Sequence, residues 1–220
     1  MAIEAIIFDM DGVLVDSEIY WQKAREEFAS SRGKLWSDAL QRQAMGHSTV
    51  EWAQIMQESL VLSESVDAII EEMLNRVLVL YGEAIPERAG AIAAVKLMAS
   101  QYRVALASGS PTIIIQKVMQ LTGLDQVFEE TVYGDTIPNG KPAPDIYLEA
   151  LRRLGLSPAQ SLGVEDSGNG IRSLKAAGIR VIAAPSPAFP LSAELLALAD
   201  AHISTLEDLK LELIAKIAAT

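Results

Sequence analysis

The feature that most constrains this chain is a series of short apolar runs separated by longer helical patterns. Ile3–Phe8, Arg103–Ala107, Thr131–Tyr133, Ser161–Val164 and Arg180–Ala184 read as strands, with Ala201–Ile203 a weaker sixth. Stretches such as AIIF, VALA and VIAA do not alternate apolar with polar residues, which is the pattern of a strand covered on both faces. Between the strands lie helical patterns near Ala89–Ser100, Ile113–Leu121, Pro144–Leu154, Gly168–Ala177 and Leu191–Leu198. Gly123, Gly155 and Gly178 stand where such helices should stop. Strand, helix, strand in repetition predicts an α/β fold: a doubly wound parallel sheet with right-handed crossovers.

One region breaks this rhythm. From Ser17 to Glu83 no strand is legible, only helical patterns at Glu18–Ala29, Val50–Leu60 and Val66–Tyr81. A crossover needs little more than one helix. The economical reading is an all-helical domain, residues 17–83, inserted into a core formed by residues 1–16 and 84–220.

Bulk properties exclude several classes. With 220 residues, no cysteine and half its residues apolar, the chain needs neither disulfide nor metal to hold a core. A net charge of -11 disfavours nonspecific binding to nucleic acid or to an anionic membrane. The opening MAIEAIIFD lacks the basic segment and the apolar length of a signal peptide, and no run reaches the ~18 apolar residues of a membrane span. A soluble, cytoplasmic protein is expected, monomeric by default.

In an open α/β sheet, ligands bind beyond the carboxyl ends of the strands. The first strand is followed by Asp9 and Asp11 in FDMDGVLVDSE, the second by Ser108 and Ser110 in ALASGS. The third leads to Lys141 in NGKPAPD, the fourth to Glu165 and Asp166 in GVEDSGNG. Clustered carboxylates raise one another's pKa unless a cation neutralises them, and hard oxygen ligands suit Mg²⁺, with Asp9 and Asp166 the natural side-chain ligands. Backbone N–H groups of Met10, Asp11 and Gly12 are expected to turn into the site, where they can hold phosphoryl oxygens. Asp9 is a candidate nucleophile toward phosphorus, and Asp11 a candidate acid and base. A calcium loop is set aside, because glycine falls at position four from Asp9 and Tyr20 at position twelve.

These four motifs, in this order, resemble the haloacid dehalogenase superfamily, specifically its phosphatases and phosphomutases with a helical cap after the first strand. The resemblance covers the whole chain. It implies Asp9 as nucleophile, Asp11 as acid and base whose backbone carbonyl also meets Mg²⁺, Ser108 as phosphoryl-binding with Ser110 assisting, and Lys141 steadying nucleophile and phosphate. It further implies Asp166 as a direct metal ligand and Glu165 as one acting through water. True dehalogenases lack the second acid of the first motif, so Asp11 favours phosphorus chemistry.

The chain is similar both to β-phosphoglucomutase-like enzymes and to sugar-phosphate phosphatases. The mutase pattern carries histidine where this sequence has Trp21, and a phosphate-clamping arginine near Thr49. These departures favour a Mg²⁺-dependent phosphatase acting on a small phosphate ester of a sugar or polyol, with Trp21 and Arg76 expected to bind substrate. Trp52 and Met45 are expected as helix core and His47 as ordinary surface. A phospho-aspartate receiver module is the alternative outside enzymes, but receivers are about half this length, lack a helical insert and phosphorylate an aspartate after the third strand.

Overall fold

The computed structural model describes residues 2–45 and 47–219. Its strands are β1 (Ala5–Phe8), β2 (Arg103–Ser108), β3 (Glu130–Tyr133), β4 (Ser161–Glu165), β5 (Arg180–Ala183) and β6 (Ala201–His202). They form one parallel sheet in the order β3-β2-β1-β4-β5-β6. The chain leaves β1 toward β2 and β3, then returns to β4 on the other side of β1. The order therefore reverses at β1, where an open sheet leaves a crevice at its carboxyl edge.

Both faces are buried, which accounts for the absence of alternation. Ala5, Ile7, Ala105, Ala107, Val181 and Ala183 pack on one side against Tyr147 and Leu151 of α7 (Asp145–Leu154) and Leu174 of α8 (Gly168–Ala176). Ile6, Phe8, Val104, Leu106, Leu162 and Val164 face the other way, with Val95 and Met98 of α5 (Ala91–Ala99) and Ile114 and Val118 of α6 (Thr112–Thr122). Both faces are covered, as parallel sheets require.

Between β1 and α5 stand four helices: α1 (Glu18–Ser30), α2 (Asp38–Ala44), α3 (Thr49–Ser59) and α4 (Val66–Tyr81). Ile69, Met73, Val77 and Tyr81 recur every fourth residue of α4 and are all buried, each such apolar side chain contributing about 1.5–3 kcal/mol. α3 opens on a capping box, in which Ser48 and Glu51 satisfy each other's backbone N–H groups. Two connectors join this region to the sheet and run side by side. Arg88 N donates to Leu14 O and Asp16 N to Pro86 O, both at 2.9 Å. Three of the four helices match the sequence reading, α4 to the residue. α2 was not anticipated, being only seven residues long, and neither was α10 (Leu211–Ala218). Between them in the chain, α9 covers Ala193–Leu196, shorter than its pattern suggested.

Candidate active site

The carboxyl ends of β1, β2 and β4 open into a cavity of about 560 Å³, roofed by α1, the end of α2 and the start of α3. Asp9 follows β1 directly. Lys141 Nζ reaches it, 2.7 Å from Asp9 Oδ1, and also lies 2.6 Å from Glu165 Oε1 at the end of β4. All three side chains are nearly closed off from solvent, so the triad stands in a medium of low dielectric. Glu165 is fixed from every side. Tyr147 Oη donates to its Oε1 at 3.1 Å, and Ser167 donates to Oε2 through both backbone N–H (2.8 Å) and hydroxyl (3.0 Å). A Cβ on Gly170 would come within 1.6 Å of Glu165 Oε1, so a side chain there would evict the carboxylate.

Asp11 is held by hydroxyls. Ser17 donates to its Oδ1 at 2.5 Å, while Ser108 and Ser110 donate to Oδ2 at 3.1 and 2.7 Å. Ser108, fully buried at the end of β2, also accepts the Ser110 N–H at 3.1 Å. Ser17, at the foot of α1, ties the helical region to this carboxylate. No role at the site was expected of Ser17 from sequence, although its place inside the first motif was the available signal.

Asp9, Glu165 and Asp166 each offer a carboxylate oxygen, all within 4.8 Å of one another, a group that could hold a metal ion. Burial lifts the Asp9 pKa to about 7; Lys141 opposes that rise, and Glu165 and Asp11 add to it. Asp166 is likewise pushed well above the usual carboxylate range, by burial first and then by Glu165 and Asp9. Burial disfavours the charge on Lys141, but Asp9 and Glu165 more than offset it and hold the ammonium well above its ordinary value. One cation thus faces more negative charge than it can balance, the condition in which a hard divalent ion fits. Asp11's carboxylate lies outside this group of three.

Several expectations need correction. The Gly12 N–H is not available to a phosphoryl group, because it donates to Val15 O at 2.8 Å where the chain folds back. Gly12 instead makes room: its φ is +76°, and a Cβ there would sit 1.9 Å from Asp166 Oδ2. Met10 is wholly buried and outside the cavity wall; its carbonyl accepts from Val13, Leu14 and Val15 to form the turn. Arg76 does not face the cavity. Its guanidinium pairs with Glu72 at 2.7 Å and lies 5.9 Å from the Phe28 ring, inside an ionic cluster with Arg32 and Glu64. It sits at one position on a long helix whose rotation the periodicity could not resolve. Trp21 does line the cavity, and so does Met45, which was expected as core; Trp52 is buried in the core and His47 is exposed, both as expected, and each also contributes to the cavity wall. Arg25, which no motif marked, lines it as well.

Comparison with known proteins adds an independent view. A model of the haloacid dehalogenase-like hydrolases matches residues 3–178. The chain is 34% identical over 180 residues to a phosphorylated carbohydrates phosphatase of Thermotoga maritima, covering 81% of this chain and 83% of that protein. It is 31% identical over 211 residues to hexitol phosphatase B of Escherichia coli, covering 93% of each. Among solved structures, CbbY of Rhodobacter sphaeroides in complex with phosphate superposes with a TM-score of 0.84 at 26% identity, covering 94% of this chain and 96% of that one.

Proposed function

Because the chain belongs to the haloacid dehalogenase-like hydrolase family, we propose that it is a Mg²⁺-dependent phosphatase hydrolysing a small phosphate monoester of a sugar or polyol through a phospho-Asp9 intermediate. The observation that carries this reading is the pairing of Asp9, bound by Lys141, with Asp11, bound by three hydroxyls, at the mouth of one cavity. The two acids stand in different environments, which is how two carboxylates take separate roles. The names of the relatives support the substrate class.

Asp9 Oδ attacks phosphorus, forming an acyl phosphate as the bond to the substrate oxygen breaks, and Asp11 gives that oxygen its proton. Asp11, now a carboxylate, takes a proton from water as the water oxygen attacks phosphorus and frees Asp9. Lys141 holds Asp9 and Glu165 in place, and Ser108 and Ser110 fix the Asp11 rotamer between steps. Asp9, Asp166 and the Asp11 carbonyl would hold Mg²⁺, with Glu165 acting through water. Bound there, the ion supplies the charge neutralisation on which phosphoryl transfer depends. Residues 17–83 form a cap over this site, moving on the paired connectors at Leu14–Asp16 and Pro86–Arg88 and excluding bulk water on closure.

The test is phosphate release from a panel of hexose, pentose, polyol and short acid phosphates, with Mg²⁺, with chelator, and with Asp9→Asn. Metal-dependent release that disappears in Asp9→Asn is expected. Interconversion of hexose 1- and 6-phosphates without release would instead make the protein a phosphomutase. Release that persists in Asp9→Asn would overturn the mechanism.

A further inference from the structure

The cavity has a second wall that the chemistry above does not use. Glu18, Trp21 and Arg25 line it from α1, and Trp52 lines it from α3. Arg25 is only 3% exposed. Its Nη1 donates to Glu18 Oε1 at 3.1 Å, while its buried Nε has no hydrogen-bond partner. The guanidinium lies 5.6 Å from the Trp21 ring and 6.0 Å from the Trp52 ring, and the two indoles are 5.6 Å apart, inclined at 59°. Glu18 Oε1 also accepts from Gln41, whose Oε1 takes the Trp36 indole N–H at 2.7 Å. This chain of hydrogen bonds fixes the carboxylate, and the carboxylate fixes the guanidinium.

Buried donors without partners are rare in folded proteins. Nε itself is closed off, but the Arg25 side chain forms part of the cavity wall, so the guanidinium is a cationic donor group that a ligand meets on this side. Charge decides which kind. Glu18 already balances Arg25, and the cavity wall as a whole carries six carboxyl groups against three cationic side chains. A second anion entering here would meet a negative field. A hydroxyl would not, and it can accept from Arg25 and donate to Glu18 at once. The faces of Trp21 and Trp52 suit the carbon skeleton carrying such hydroxyls.

We propose that Arg25, held by Glu18 between Trp21 and Trp52, is the specificity-determining residue that reads the neutral, hydroxylated end of the substrate and disfavours a second anionic group there. This rests on the phosphatase reading above. The test compares kcat/KM of the full chain with Mg²⁺ on a hexitol monophosphate, a hexose bisphosphate, phosphoglycolate and p-nitrophenyl phosphate, the last having neither hydroxyls nor a second charge. The parent should prefer the hexitol ester to the bisphosphate and the acid by at least about tenfold. Arg25→Gln should lose at least about tenfold more on the hexitol ester than on p-nitrophenyl phosphate, mostly through KM, and Arg25→Lys should not recover it. Glu18→Gln, which leaves Arg25 unneutralised, should move preference toward the bisphosphate, and it keeps the proposal testable if Arg25→Gln fails to fold. A parent that prefers the bisphosphate or the acid overturns the proposal. So does an Arg25→Gln that loses equally on both esters, or a Glu18→Gln with unchanged preference. A parent inactive on all four, p-nitrophenyl phosphate included, removes the phosphatase reading itself.

Discussion

On the sheet side of the cavity stand four carboxyl groups, Asp9, Asp11, Glu165 and Asp166, with one lysine bonded to Asp9 and Glu165, and each comes from a strand end or the residues just beyond it. On the helical side, Glu18 and Arg25 form a matched pair, braced by Gln41 and Trp36 and walled by two indoles. The first side is left short of positive charge, and burial raises Asp9 and Asp166 as a result. The second is close to neutral and apolar. A site built this way separates two tasks. The unbalanced side gathers a cation and a phosphoryl group, and the balanced side can vary with the organic part of the substrate without disturbing the chemistry.

Two glycines at positive φ probe this contrast with the largest expected effect on folding. Gly12→Ala places a Cβ 1.9 Å from Asp166 Oδ2 at φ +76°, whereas Gly33, at φ +67° in the helical region, has nothing within 4 Å of the same atom. Gly33→Ala should therefore cost only the local strain of about 1–2 kcal/mol. Gly12→Ala should cost clearly more in urea unfolding and should also weaken cation binding measured by calorimetry. Equal losses at the two positions would mean that the carboxylate cluster is looser than its packing indicates.

A pH series sharpens the charge argument. An unfolded aspartate titrates near 3.8, but burial holds Asp9 at about 7 in the folded protein. Over that interval the folded state keeps a proton that the unfolded chain has lost. Through Asp9, stability without metal should therefore fall as pH rises from about 4 to about 7, and Asp166, raised by the same burial, adds to the fall. Thermal unfolding in chelator would read this directly, and Asp9→Asn or added Mg²⁺ should make the slope shallower.

The smallest effect is expected on the outer surface of the helical region. Hydrogen bonds from Arg32 and Arg76, stronger than the opposing burial, hold the Glu72 carboxyl at about 2. Because the group is about one-third exposed and so screened by solvent, Glu72→Gln should cost no more than about 1 kcal/mol at pH 7. The depressed pKa makes that contribution complete above about 4.5 and lost as pH falls toward 2. Parent and variant should therefore melt together at the acid end.

The same division governs what could be read before any coordinates. Core strands were legible because both-face burial leaves continuous apolar runs, and sheet topology then brings their ends together whatever lies between. Asp9, Ser108 and Glu165 could be placed from local sequence alone. Arg25 could not, because its meaning depends on Glu18 two turns away, Gln41 on another helix and Trp52 on a third. Arg76 was misplaced for the same reason: a basic residue on a helix shows its charge in sequence but not its direction. α2 and α10 were missed because short helices carry little periodicity, and α2 owes its place to the Ser37 cap and to Gln41 and Ala44 packed beneath it. The Gly12 N–H was misassigned because a motif does not reveal that the chain turns back on itself to meet Val15.

The central claim is that phosphorus is transferred to Asp9. It is tested most directly by mixing Asp11→Asn with p-nitrophenyl phosphate and Mg²⁺, quenching in acid, and mapping the phosphoryl group by peptide mass spectrometry. Nitrophenolate leaves without protonation, so transfer to Asp9 should still proceed, while hydrolysis, deprived of its base, should slow by about 10²- to 10⁴-fold. The label should accumulate on the peptide containing Asp9 and be absent when Asp9 is also changed to Asn. A label on any other residue, or phosphate release at the parent rate with no labelled protein, would contradict a phospho-Asp9 mechanism.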